Sequence, residues 1–303
     1  MDPAALATLR AVRAHGGVTA AAAVRHLTPS AVSQQLAGLQ REVGVDLTER
    51  RGRGLRLTPA GHALADAALD VAVALERARA ACDAFVSAPT GTVTVSAFSS
   101  GAQLLLPGLL DRVAPLDGLD VECVDEDVAQ DRFVALTDRI DVVVAHRPDH
   151  GPGWGRDVVV APLLREPIDV AVPEDHRLAR EPSVAPADLV DERWIAVREG
   201  FPVARVLDEV AVRTGREARV VHRINDFHVV EAFVAAGHGI SLLPRWTTRA
   251  GPGTGLRLLP LRDVRAGRLV DALLRPDRAQ RVAVQRVLAE LRDLAAGLGA
   301  RPA

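Results

Sequence analysis

Between Thr28 and Gln34 the chain gathers hydroxyl and amide side chains at a spacing that a helix would bring onto one face. Residues 30–43 (SAVSQQLAGLQREV) repeat with helical period: Val32, Leu36, Leu39 and Val43 form an apolar stripe, and Ser30, Gln34, Ala37 and Arg41 lie opposite it. Such donors and acceptors match the base edges of a DNA major groove, where an amide can hold adenine through two hydrogen bonds. No acid interrupts the presented face before Glu42, so a polyanion can approach it. Thr28, Pro29, Ser30, Ser33 and Gln34 are therefore candidate base-reading residues. Arg51 and Arg53, in the basic, glycine-rich run at 50–54, are candidates for phosphate contact. A separate set is suited to a small ligand. Ser99 and Ser100 follow a strand and open a helical run, so their hydroxyls and nearby N–H groups can bind a carboxylate; Arg147, Phe201, Pro202 and Asn225 stand at other strand or helix ends.

The elements that must position these residues can be read around them. Thr28 caps the reading helix through its hydroxyl, and Pro29 suits its first position because it brings no N–H needing a partner. Upstream, residues 18–27 form a short alanine-rich helix, and the Leu27-Thr28-Pro29 corner gives helix-turn-helix spacing. Asp2 and Pro3 start an earlier scaffold helix whose Leu6, Leu9 and Val12 rest on this core, and Gly16 and Gly17 end it. Downstream, residues 45–49 and 55–57 are strand candidates of a wing hairpin.

Four linked segments now carry a resemblance: Thr19 with the alanines after it, TPSAVSQQL at 28–36, EVGV at 42–45 and TPAG at 58–61. Together they resemble the winged helix-turn-helix of LysR-type transcriptional regulators. The detailed match covers about the first fifth of the chain, and the remaining length fits the family's effector domain more loosely. One departure is Leu47-Thr-Glu-Arg50, where an aromatic often follows the leucine. The resemblance implies an inverted-repeat DNA target, control of a neighbouring operon and assembly to a tetramer.

After the wing, Thr58 and Pro59 start a long helix in which Leu64, Ala68, Val71, Leu75, Ala78, Cys82 and Phe85 recur at alternating spacings of four and three. This heptad seam is expected to pair two copies and so to set the separation of two reading helices. The heptad leaves helix direction open; the resemblance implies an antiparallel pair. Beyond a linker at 87–91 the pattern becomes α/β, with strands at 92–96, 119–125, 140–145, 168–172, 194–197, 219–222, 240–243, 256–259 and 268–274 and helices at 203–214, 227–236 and 278–296. The expected fold class is α/β with an N-terminal winged helix-turn-helix, a long linker helix and a two-lobed effector domain resembling periplasmic binding proteins. The expected divisions are 1–58, 59–88 and 89–303, with lobe I about 91–161 and 268–303 and lobe II about 162–267. Ligand would lie between the lobes, at the strand ends near 97–100, 146–147, 201–202 and 225–226.

Charge and composition narrow the classes. Of the 303 residues, 37 are basic, all of them Arg, a coding bias that does not by itself indicate nucleic-acid binding. Residues 1–60 hold eight Arg against four acids, hence +4, and a net charge of −2 leaves −6 for the rest: a basic head on an acidic body. Cys82 and Cys123 stand far apart, outside any CxxC or Cys/His cluster, so neither a disulfide framework nor a zinc site is expected. His146, His222, His228 and His238 lack metal-ligand spacing and read as solvated or structural. No leader-like opening and no run of about 18 apolar residues occurs, so a cytoplasmic chain without a membrane segment is expected.

Against an enzyme, there is no Walker sequence, no GxGxxG after a strand and no HExxH, and the GISLL run at 239–243 lacks the last glycine of a GxSxG elbow. No catalytic residue and no cofactor is expected. A solute-binding protein would share the bilobed body but not the DNA-reading head. The partners expected are double-stranded promoter DNA, a small effector such as a carboxylate or amino acid, and further copies of the chain.

Overall fold

The computed structural model describes residues 1–299 apart from 52–53, 84–89, 127, 151, 156, 200 and 202. The head begins with α1 (Pro3–His15), α2 (Val18–Val24) and α3 (Pro29–Val43), followed by an antiparallel hairpin of β1 (Thr48–Arg51) and β2 (Gly54–Leu57). Its termini are made locally. Thr28 Oγ1 accepts the Ala31 N–H at 3.1 Å, and Gly44 at φ 74° turns the chain out of α3 while its N–H bonds Gln40. Leu6, Leu9, Val12, Val32, Leu36 and Leu39 close the core, and Val43 packs at its edge. Thr8 donates to Gln35 at 2.6 Å and Thr48 to Gln40 at 2.7 Å, tying α3 to α1 and to the wing. The wing strands start three residues later and one residue earlier than expected, because Thr48 pairs with Leu57 across the hairpin.

The linker helix α4 (Pro59–Asp83) starts where the TPAG segment predicts. Thr58 Oγ1 donates to Asp46 O at 2.7 Å and accepts from Gly61 N at 3.0 Å. At Gly61 a Cβ would stand 2.1 Å from the Leu47 carbonyl oxygen, so only glycine lets the helix start against the wing. The heptad seam divides between two environments. Leu64 and Ala68 pack on the head's own core, whereas Val71, Leu75, Ala78 and Cys82 are exposed; Phe85 lies outside the described residues.

The body is one hydrogen-bonded network of nine strands among the described residues. Lobe I holds β3 (Gly91–Ala97), α5 (Ser99–Val113), β4 (Leu119–Asp125), the short α6 (Phe133–Leu136), β5 (Val142–Pro148) and the closing α9 (Val282–Gly299). Lobe II holds β7 (Arg193–Ala196), α7 (Ala204–Thr214), β8 (Arg219–Arg223), α8 (Phe227–Ala235), β9 (Ile240–Pro244) and β10 (Leu256–Leu259). Two strands join them: β6 (Val159–Pro173) and β11 (Gly267–Leu274).

β6 is much longer than the expected strand at 168–172. Proline cannot donate to a ladder, yet Pro162 and Pro167 both lie within this strand. Pro162 sits at an irregularity, where Val270 pairs with Leu164 and Asp271 with Pro162, leaving Leu163 as the extra residue of a bulge. Pro167 stands where β6 leaves β11 and takes up β9 and β10. The strand thus runs unbroken through the expected lobe boundary.

Candidate nucleic-acid interface and ligand cleft

On α3 the apolar stripe is buried, and Thr28, Pro29, Ser30, Ser33 and Gln34 are exposed together. Thr28 and Ser30 share a hydrogen bond between hydroxyls at 2.9 Å, and Ser33 Oγ donates to the Pro29 carbonyl at 3.0 Å. These three side chains are held close to the helix start, leaving Gln34 as the freely projecting amide. Arg41 continues the exposed face one turn further on. The backbone of Arg51 ends β1, and Arg53 lies outside the described residues.

Between the lobes lies a cleft of about 520 Å³. Lobe I contributes Phe98, Ser99, Ser100 and His146, and lobe II contributes Phe201, Asn225 and Phe227. Of the six candidates, Ser99, Ser100, Phe201 and Asn225 meet there, and Pro202 lies outside the described residues. Ser99 is exposed and Ser100 buried. Asn225 Oδ1 accepts the Arg198 N–H at 2.8 Å, so its carbonyl side is occupied in shaping the lobe II wall.

Arg147 stands elsewhere. It donates to Asp271 at 2.8 Å, and Trp154 Nε1 donates to the same carboxylate oxygen at 2.7 Å. Alternation along β5 sends His146 to the cleft and Arg147 to the opposite face of the sheet. The reading of Arg147 as a cleft residue is accordingly corrected.

Among the described residues three arginines line the cleft: Arg198 and Arg223 are exposed, and the buried one is Arg268, at the start of β11, with only 2% of its surface exposed. It pairs with Glu166 on β6 through Nε at 2.7 Å and donates to Ser100 Oγ from Nη2, also at 2.7 Å. Its guanidinium lies 4.6 Å from the centre of the Phe98 ring. His146 is buried against Phe98 and Phe133. Burial, and then the nearby Arg268 charge, hold its pKa well below the ordinary 6.5, so it is neutral at physiological pH. The sequence carried one sign of Arg268, one of only two charges, with Asp271, in the largely apolar strand GRLVDALL.

Comparison with known proteins matches residues 3–62 to the bacterial regulatory helix-turn-helix of the lysR family and residues 87–296 to the LysR substrate binding domain. The chain belongs to the LysR family of transcriptional regulators. It is 29% identical over 225 residues to the transcriptional dual regulator GltC of Bacillus subtilis, covering 72% of each chain. The fold is similar to a full-length OxyR from Pseudomonas aeruginosa, at a TM-score of 0.66 and 21% identity over 96% of this chain and 95% of that one. It is also similar to full-length CbnR complexed with its target DNA, at a TM-score of 0.53 and 22% identity over 97% of this chain and all of that one. This LysR regulator thus joins its head to a two-lobed body through α4, and no helix among the described residues is long and apolar enough to cross a membrane.

Proposed function

We propose that this regulator binds inverted repeats in promoter DNA as a homo-oligomer in the cytoplasm and answers to a small effector held in the inter-lobe cleft. The observation that carries the DNA reading is the open face of α3, where the Thr28 to Gln34 group is solvent-facing while the opposite stripe closes the head core. Gln34 reads a base edge, and Thr28, Pro29, Ser30 and Ser33 set the helix start against the backbone and neighbouring bases. Arg51 and Arg53 grip phosphates from the wing. Pairing through Val71, Leu75, Ala78 and Cys82, continued by Phe85, places two heads on two half-sites, while Leu64 and Ala68 of the heptad serve the head's own core instead. Ser99, Ser100, Phe201, Pro202 and Asn225 are the effector contacts. Effector binding shifts the relative placement of the lobes, and its effect on DNA affinity is bounded by its differential affinity for the two arrangements.

Selection from a random duplex library with the full chain tests this. The expected product is an inverted repeat. Gln34→Ala should relax preference at one position per half-site by on the order of 1–3 kcal/mol, while Arg51→Ala should weaken all sequences alike and flatten the salt dependence. Selection of no repeat, or an equal loss across sequences for both variants, would contradict the assignment.

A further inference from the structure

Arg268 joins the elements that surround the cleft. It starts β11, pairs with Glu166 on the crossing strand β6, bonds Ser100 at the start of α5, and lies within 5.9 Å of the Phe227 ring on α8 of lobe II. Its grip on Glu166 is lopsided. Both Nε, at 2.7 Å, and Nη2, at 2.5 Å, address the same oxygen, Oε2. The other oxygen, Oε1, is buried without a partner. A guanidinium and a carboxylate ordinarily meet fork to fork through two parallel bonds. Here Nη1 has no partner among the described residues, while Arg268 itself lines the cleft and Glu166, fully buried, stands behind it.

The groups around Arg268 donate. Ser100 Oγ accepts from Arg268, so the hydroxyl proton is directed elsewhere. The helix α5 opens at Phe98 without a side-chain cap, so its first N–H groups are open as well. His146 is neutral and adds no charge. Of the acids around the cleft, Asp226 is engaged in capping α8, Glu231 faces His228 at 3.7 Å and Asp125 is exposed at the mouth. The cleft floor is therefore short of acceptors, and the rings of Phe98, Phe201 and Phe227 border it.

We propose that Arg268 is a specificity-determining residue of this cleft: with Ser100 it receives one carboxylate oxygen of a compact organic anion whose apolar or aromatic body lies against Phe98, Phe201 and Phe227. Glu166 is the built-in competitor. It holds the guanidinium in place in the empty cleft and sets the affinity an anion must exceed. This rests on the reading of the inter-lobe cleft as the effector site, and it replaces Arg147 with Arg268 as the recognising cation.

The test uses the full chain and a panel of sodium hexanoate, phenylacetate and 3-phenylpropionate with their primary amides, screened by thermal shift and titrated by calorimetry. Carboxylates should bind and their amides should not. Glu166→Gln removes the competing charge and should tighten the same carboxylate about tenfold, or about 1.4 kcal/mol. Arg268→Gln alone leaves Glu166 a buried charge without a counterion, as Glu166→Gln leaves Arg268, and either can fail to fold. Every variant is therefore checked by circular dichroism and a cooperative melt before titration. The companion variant is Arg268→Gln with Glu166→Gln. It should bind the carboxylate about 100-fold more weakly than Glu166→Gln alone. Equal binding of amides, unchanged affinity in the double variant, or no response to any carboxylate in wild type and Glu166→Gln would each overturn the proposal. Phe201→Ala and Phe227→Ala separate the two levels. If they weaken binding and the Arg268 variant does not, the role of Arg268 fails; if none of them matters, the ligand sits outside the cleft and the underlying reading fails.

Discussion

Asp277→Asn should loosen the docking of the DNA head on the body of its own chain. Arg10, on α1, reaches across to Asp277, its Nη1 3.4 Å from Oδ2, with the two side chains 16% and 9% exposed. Two unit charges at that distance attract by about 5 kcal/mol at an effective dielectric of ~20. The pair is worth much less than this, because both partners give up hydration and Asp277 is already held by Arg275 through bonds of 2.6 and 2.9 Å. Both pKa values are lowered, which disfavours the charge on Arg10 and favours it on Asp277. Burial lowers the pKa of Arg10 by more than Asp277 raises it, and Arg275 adds repulsion. Burial pushes the Asp277 carboxyl up, but the hydrogen bonds and charge of Arg275, with the charge of Arg10, overcome it and hold it below the ordinary carboxylate range. Asp277 is thus committed to Arg275, and Arg10 is a weakly held third member. Asparagine at 277 leaves two guanidinium groups facing each other half-buried, a cost of about 2 kcal/mol, below the 3–5 kcal/mol of a fully buried pair. Arg10→Met removes the charge that burial penalises and keeps the apolar stem, so it should lie within about 0.5 kcal/mol of wild type and recover part of the Asp277→Asn loss in the double variant. Hydrogen exchange of the α1 amides, compared with those of β5 as an internal standard, reads the docking locally, which suits a multidomain chain better than one global unfolding transition. If Arg10→Met exposed α1 more than Asp277→Asn does, Arg10 would be a net contributor to docking and the reasoning would be wrong.

Other perturbations follow from the same geometry. His146 is neutral when folded and its pKa is depressed, so below about pH 6.5 the unfolded chain takes up a proton that the native chain refuses, and stability should fall as the pH drops from there. His146→Leu should lose that part of the slope, read from melting temperatures between roughly pH 7.5 and 5.5; an unchanged slope would show that other groups carry it. Leu75→Glu places a charge on the exposed stripe of α4 and should lower the sedimentation coefficient and weaken DNA binding together, while an unchanged assembly would remove α4 from the interface. Gly61→Ala drives a methyl against the Leu47 carbonyl and should destabilise the head by about 1–3 kcal/mol, measured as earlier loss of α3 and α4 protection in hydrogen exchange; wild-type protection would show that α4 can shift at no cost.

The sequence by itself determined the head. Its caps act within three residues, its apolar stripe lies along one helix, and the TPAG segment states in four residues how a helix starts against a wing. Short strands of lobe II were legible for the same reason: β8, β9 and β10 are bounded by local breaks and fall within one residue of their expected limits. What required the tertiary structure was everything set by partners far along the chain. Pro162 and Pro167 lie within β6 because β11 supplies a bulge and a ladder end to hold them. Arg147 and Arg268 are both arginines on strands, and alternation alone cannot say which face a ligand will see. The answer comes from Asp271, which takes Arg147, and from Glu166 and Ser100, which lie 102 and 168 residues from Arg268 and bring it into the cleft. A helix carries its periodicity within itself, whereas a buried charge takes its position from whichever opposite charge the fold sets beside it.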